Sequence, residues 1–266
     1  MLSVHTNYAS LVSQGAVNKS NDLLTSAMER LSTGLRINSA ADDAAGLQIA
    51  NRMNANITGM QAATRNISDA TSMLQTADGA LEELTTIANR QKELATQAAN
   101  GVNSTDDLIA LDAEYQALIL ESARITDKTT YAGNNLFTSL TAGTTFQIGA
   151  GTTEQLTTTI TAPTAVAGDL LSSANALTAM AAVDTNIGEV GTARSVLGAS
   201  INRLGHTSSN LASVIENTQT AAGRIMDTDF AVESANMTRN QLLVQAGTSI
   251  LSSANQNTGL VMGLLG

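Results

Sequence analysis

The sequence predicts a mainly α protein: a long antiparallel helical coiled-coil rod with a small β-hairpin region and an uncharged, patterned helix at each end. Three observations lead there. A heptad of apolar residues runs almost unbroken from Asp43 to Asn100. A stretch rich in Gly, Thr and Ile, holding the single proline (Pro163), interrupts the helical pattern at about 131–171. Both ends of the chain are nearly free of charge yet patterned at helical spacing.

The first element is a helix whose stripe is Leu24, Met28, Leu31 and Leu35; from Met1 to Asn21 its only formal charge is Lys19. The long helix that follows places Met53, Met60, Ile67, Leu74, Leu81, Ala88 and Ala95 at one heptad position, and Ala63, Ala70, Ala77 and Leu84 at the second. Alanine there lets a neighbouring helix approach closely. Gly101 reads as the residue just past the helix end, and Ser104, Thr105 and Asp106 offer cap chemistry for the next helix, so the turn is short.

That next helix carries Leu108, Leu111, Tyr115, Leu118 and Ile125 on one face, folds back antiparallel, and ends near Lys128. The β-branched runs around Phe146, Ile148, Leu156 and Ile160 predict one hairpin or two. Helical spacing resumes at Met180 and continues through Val183, Ile187, Val190, Leu197, Ile201, Leu204, Leu211, Ile215, Ala222 and Ile225. In the last helix Leu243, Ala246, Ile250 and Ala254 form a stripe, with Val261, Leu264 and Leu265 beyond, and no side chain from Asn240 to Gly266 is charged.

Composition narrows the function. The 266 residues are 43% apolar but only 2% aromatic, with no Trp, so helices closely packed through small residues replace an aromatic-anchored core. The absence of Cys removes disulfides, thiol nucleophiles and thiolate metal sites. A formal charge of −10, from 13 basic and 23 acidic residues, opposes nucleic-acid binding. The start, MLSVHTNYASLVSQGAVNKS, has neither the cationic nor the continuous apolar region of a Sec-type signal peptide. No segment approaches the ~20 apolar residues of a membrane span, and the Ser, Asn, Gln and Thr of SILSSANQNTG oppose membrane insertion.

No catalytic residue, cofactor or metal site is expected: there is no HExxH, P-loop or GxSxG motif, and His5 and His206 are isolated. Asp42 with Asp43, and Asp106 with Asp107, sit near helix starts and read as helix-terminal acids. A helix with no charged side belongs where it is covered all round, by the other terminus or by another copy of the chain.

The residues then become specific. LSTGLRINSAADDAAGLQIANRM (Leu31 to Met53) resembles the N-terminal signature of bacterial flagellin, and DTDFAVESANMTRNQLLVQAGTSILSSANQ (Asp227 to Gln256) is similar to its C-terminal one; RNISDATSMLQTADGALEEL and ELATQAANGVNS lie between them in the family's order. The start, with His5 where the family has Ile, and the tail QNTGLVMGLLG, without the usual Pro-Gln, depart from the pattern. The runner-up families, the hook–filament junction protein and a cytoplasmic helical signalling hairpin, fit less well, because Asp42-Asp43 leads into Ala-Ala-Gly-Leu rather than Pro and no membrane anchor is present.

The resemblance implies a minimal flagellin without large outer domains, exported through the flagellar type III channel with no cleaved signal peptide and polymerised into the extracellular filament that drives motility. It implies that the N- and C-terminal helices pair, that residues 1–43 and 225–266 form a terminal helical polymerisation domain, the inner tube, and that 44–224 form a helical rod with the hairpin region about 131–171. The stripes named above, Leu24, Met28, Leu31 and Leu35 with Leu243, Ala246, Ile250, Ala254, Val261 and Leu264, are then the polymerisation seam. The implied partners are other copies of the chain, an export chaperone, and cap and junction proteins. A host Toll-like receptor joins them: NRQKELATQ matches the segment that it recognises, with Arg90, Leu94 and Gln97 at i, i+4 and i+7 and Glu114 on the adjacent helix, although the same face also suits protomer contact.

Overall fold

The structure, a computed structural model, describes residues 6–265. Six helices and four short strands follow in the order α1 (Tyr8–Thr33), α2 (Ala44–Ala98), α3 (Thr105–Lys128), β1 (Thr130–Tyr131), β2 (Asn134–Asn135), α4 (Leu136–Ala142), β3 (Thr144–Gln147), β4 (Gln155–Thr158), α5 (Ser173–Met226) and α6 (Phe230–Leu265). The chain divides into two compact units, residues 1–55 with 217–266, and residues 56–216.

In the unit 56–216, α2 and α5 run antiparallel, which their ion pairs show directly. Lys92 pairs with Asp184, whereas further back along α2 Asp78 meets Arg194 at 2.9 Å and Glu82 meets it at 3.5 Å. The heptad of α2 is the spine of the core. Met60, Ala63, Ile67, Ala70, Leu74, Ala77, Leu81 and Leu84 are buried against Val190, Ala193, Leu197, Leu204 and Leu211 of α5. Nearer the α2–α3 turn, Ala88, Leu94, Ala95 and Ala98 close on Tyr115 of α3 and on Ala176, Ala179 and Val183 of α5.

Ser104 caps α3 in a reciprocal box with Asp107, the third residue of the helix, which fixes the start of the returning helix. The preceding turn differs from expectation. The helix ends at Ala98, two residues early, and Gly101 does not take the left-handed conformation; the Asn103 amide donates instead to the Gln97 carbonyl at 2.7 Å.

The middle segment pairs β1 with β2 and β3 with β4, both antiparallel, and the second pair brings Phe146 opposite Leu156. Between the pairs the structure adds α4, which a β reading of the segment did not foresee. Asn135 caps it by accepting the Thr138 N–H at 2.8 Å, and Leu136, Phe137 and Leu140 all turn into the core. Residues 159–172 form a strap rather than a second large hairpin. Glu189 accepts the Thr164 N–H at 2.6 Å, Asp112 accepts the Leu170 N–H at 2.8 Å, and Val166 and Leu170 are buried beneath.

In the unit formed by the two ends, α1 and α6 pair antiparallel. Asn7 donates to the Ala254 carbonyl at 2.9 Å near one end, and Arg30 meets Glu233 at 3.7 Å near the other. Both flanking helices break at the same level. Gly34, at φ 73°, terminates α1 in the left-handed conformation, so Leu35 lies outside the helix predicted to contain it and bridges Asp227 instead. Thr228 N–H donates to the Gly34 carbonyl at 3.0 Å, and Arg36 N–H to the Met226 carbonyl at 2.6 Å. Asp43 and Asp229 then start the next helices by accepting backbone N–H groups of Gly46 and of Ala231 and Val232. The acid pair Asp42-Asp43 is thus a pair of loop and cap residues: Asp42 accepts the N–H groups of Asn38 and Ser39.

Candidate polymerisation surface

The inward side of the terminal pair interleaves small and polar residues with larger apolar ones. On α1 it runs through Ser13, Val17, Ser20, Leu24, Ala27 and Leu31, and on α6 through Glu233, Met237, Asn240, Val244, Gly247, Leu251 and Ala254, each series at alternating steps of three and four. The approach is closest at Gly247, where an added Cβ would lie 2.5 Å from Val17 Cγ2. This is why a glycine occupies a helix interior that would otherwise prefer alanine.

The predicted seam therefore divides in two. Leu24, Leu31, Leu35 and Ala254 are partly buried, but Met28, Leu243, Ala246 and Ile250 point outward and take no part in the pairing of the two ends within one chain. On α6 the stripe sought by hydrophobicity is the outer one, because Glu233, Asn240 and Gly247 interrupt the inner series of Met237, Val244 and Leu251. A search for small residues at helical spacing would have found Ala27 and Gly247. Val261, Leu264 and His5 lie outside the residues whose side chains are described.

The outward side is strongly apolar. Leu11, Val12, Leu23 and Met28 on α1, with Leu242, Leu243 and Ile250 on α6, are between 47% and 62% exposed. Formal charge is scarce around them, so water meets leucine, valine and isoleucine side chains on a helical pair with few charged groups to solvate it. Large apolar side chains left half-exposed along two paired helices suit a surface used for contact. Among the described residues no group of three or more His, Cys, Asp or Glu side chains is placed to hold a metal ion. No helix among them is long and apolar enough to cross a membrane.

The second predicted group lies in the unit 56–216, and the structure separates its members. Arg90 is exposed and joins α2 to α3, with its guanidinium 2.8 Å from Glu114 and 2.7 Å from Glu93. The hydrogen bonds that the guanidinium donates to Glu114 and then Glu93 raise the Arg90 pKa above its ordinary value. Gln97 is also exposed. Leu94, however, is 1% exposed and belongs to the core beside Tyr115, so the three residues do not share a free face. Successive helix positions advance by 100°, which turns i+4 about 40° away from i, and α3 covers that flank.

Comparison with known proteins agrees with this architecture. Residues 4–142 match the model of the bacterial flagellin N-terminal helical region, and residues 180–265 match that of the flagellin C-terminal helical region. Flagellin of Halalkalibacterium halodurans is 42% identical over 246 residues, covering 90% of each chain. Flagellin of Listeria monocytogenes is 35% identical, with 99% of each chain covered. Among solved structures, Bacillus cereus flagellin superposes with a TM-score of 0.51 at 34% identity, covering 55% of this chain and 88% of that one. These matches favour a structural filament subunit over a junction protein, a signalling hairpin or an enzyme. Matched at both ends, and aligned with curated relatives over most of its length, the chain belongs to the bacterial flagellin family, the self-polymerising subunits of the extracellular flagellar filament.

Proposed function

We propose that the filament grows by covering the outward apolar face of α1 and α6 with the same helices of neighbouring protomers. The exposure of Leu11, Val12, Leu23, Leu242, Leu243 and Ile250 on helices already paired along their inner side is the observation that carries this reading. Fully burying a Leu-sized side chain contributes about 1.5–3 kcal/mol; these are already about half covered, so each adds roughly half of that, and several per protomer offset the ordering of the chain ends. A head-to-tail contact between different faces of identical copies, with a rotation that does not close into a ring, generates a helical polymer. In this reading residues 1–43 and 225–266 form the inner tube and 44–224 the surrounding rod. The chain leaves the cell through the flagellar export channel without a cleaved signal peptide, escorted by a chaperone, and meets cap and junction proteins at the filament ends.

Leu243→Lys combined with Ile250→Lys tests the reading, because both positions face away from the α1–α6 contact. The expected result is a helical, soluble monomer that does not extend filament seeds, scored by electron microscopy. Filaments of normal length and yield from this variant would refute it.

Recognition by a host Toll-like receptor is a second, compatible role, supported by the exposed bridge from Arg90 to Glu114 across α2 and α3. Leu94 would contribute from beneath, by fixing the distance between those helices. Arg90→Ala monomer is expected to lose signal in a receptor-reporter assay, and an unchanged response would remove this role.

A further inference from the structure

The turn between α2 and α3 carries the one Asn-Gly pair in the sequence, Asn100-Gly101. Both residues are exposed. Around Gly101 there is open space, with no atom within 4 Å of where a Cβ would stand. Among the described residues the Gly101 N–H donates to no acceptor, although those around it do: Asn100 N–H reaches the Gln97 carbonyl at 3.2 Å, Val102 N–H the Asn100 carboxamide oxygen at 3.4 Å, which leaves the Asn100 Nδ2 side free to depart, and Asn103 N–H the Asn100 carbonyl at 3.3 Å.

Three other asparagines outside the helices, Asn38, Asn103 and Asn135, differ in this respect. The amide that follows Asn38 donates to Asp42 at 2.9 Å, the one after Asn103 to Asp107 at 3.0 Å, and the one after Asn135 to the Thr129 carbonyl at 2.9 Å. Asparagines inside helices are followed by amides committed to the helical ladder. Only at Asn100 do an exposed carboxamide, a following residue without a Cβ, and a backbone nitrogen free of hydrogen bonds coincide.

We propose that Asn100 is a site of spontaneous deamidation through a succinimide. The Gly101 backbone nitrogen attacks Asn100 Cγ; the N–Cγ bond forms, the Cγ–Nδ2 bond breaks, and ammonia leaves with the proton that the Gly101 nitrogen carried. Water then opens the five-membered imide at either carbonyl, giving aspartate or isoaspartate. The net reaction is hydrolysis of an amide, with no oxidation or reduction.

The product acts on the turn in two ways. Either isomer places a negative charge at the C-terminal end of α2, beside carbonyls that already carry the negative end of the helix dipole. Isoaspartate also reroutes the backbone through Cβ and Cγ, one atom longer, and takes the α-carbonyl that accepts from Asn103 out of the main chain as a free carboxylate. The turn that sets α3 against α2 therefore loosens with the age of the molecule.

The test uses the full chain, incubated in mildly alkaline buffer and followed by peptide mass mapping and isoaspartyl methyltransferase labelling. The peptide containing Asn100 is expected to convert before any other asparagine peptide, with isoaspartate as the larger product. Gly101→Ala fits the open space and the ordinary backbone angle there. It should slow conversion by at least about tenfold, because its Cβ hinders ring closure. Asn100→Gln, which must close a six-membered ring, serves as a second check and should remove the early signal. An Asn100 that keeps its amide while other asparagines react, or equal rates in the parent and the Gly101→Ala chain, would overturn the proposal.

Discussion

Replacing Gly247 with alanine sets a methyl group 2.5 Å from Val17 Cγ2, whereas Val17 Cβ stands at 3.8 Å. Carbon atoms in good contact sit about 3.5–4.0 Å apart, so α1 and α6 must separate by roughly an ångström or one side chain must leave its preferred rotamer. Overpacking of this size costs about 1–3 kcal/mol. Against it stands the intrinsic preference of a helix interior for Ala over Gly, about 1 kcal/mol. The net expectation is that Gly247→Ala weakens the α1–α6 pair by up to about 2 kcal/mol. In a Val17→Ala background the clashing Cγ2 is gone and the remaining Cβ is at ordinary distance, so the same substitution should stabilise α6 by about 1 kcal/mol. The sign therefore inverts between backgrounds, with a coupling of about 1–3 kcal/mol in a double-mutant cycle. Amide hydrogen exchange resolved to α1 and α6 reads the effect locally, and thermal dissociation of assembled filaments reads it in the polymer. Stabilisation by Gly247→Ala in both backgrounds would refute the argument that this glycine is kept for close approach.

Two further outcomes follow from other parts of the molecule. Gln91 is 1% exposed, and its Nε2 donor has no protein acceptor among the described residues. Gln91→Leu, which restores an apolar residue to the heptad, should raise stability by about 1–3 kcal/mol in chemical denaturation; a destabilised variant would show that the amide is well satisfied. Asp42 has a carboxyl held below the usual carboxylate range, first by the Ser39 backbone N–H, then by the Ser39 hydroxyl and the Asn38 N–H. Because its folded pKa is depressed, the stabilising effect is present above the ordinary carboxylate pKa and is lost as pH falls through the lower folded value. An NMR titration should show that low value, with exchange at residues 38–43 accelerating only as the group protonates; an ordinary titration would contradict the hydrogen-bonding account.

The long helices were legible because their signal is redundant. Many heptad repeats agree on one face of α2, and a single discordant residue such as Gln91 does not break the pattern. The seam of α1 and α6 was harder. On α6 its inner positions set Glu233, Asn240 and Gly247 between Met237, Val244 and Leu251, which breaks the apolar pattern, whereas Leu243 and Ile250 lie on the exposed side. Leu94 was misplaced for the converse reason: helical spacing fixes the angle between residues but not which angle a neighbour such as α3 covers. The helix α4 was hidden because Thr and Ser surround its apolar residues. Its only local signal was the cap at Asn135 with Leu136 and Leu140 four apart. The exposed members of the receptor-like group, Arg90, Gln97 and Glu114, were found only through family resemblance, since an exposed Arg with two carboxylate partners is common on any helical surface.

The paired breaks at Gly34 and Asp227 have a mechanical consequence. Of the contacts that join the two chain segments there, two are backbone hydrogen bonds, from Arg36 N–H to Met226 and from Thr228 N–H to Gly34, and a third runs from the Arg36 guanidinium to the Ile225 carbonyl at 2.8 Å. Tension pulled along one arm is thus shared with the other through bonds that most side-chain replacements leave in place. Sliding one arm past the other would load all of these bonds in shear at once, whereas a small hinge motion about them would load them weakly. The joint resists slippage and tolerates bending, a useful combination in a rotating fibre.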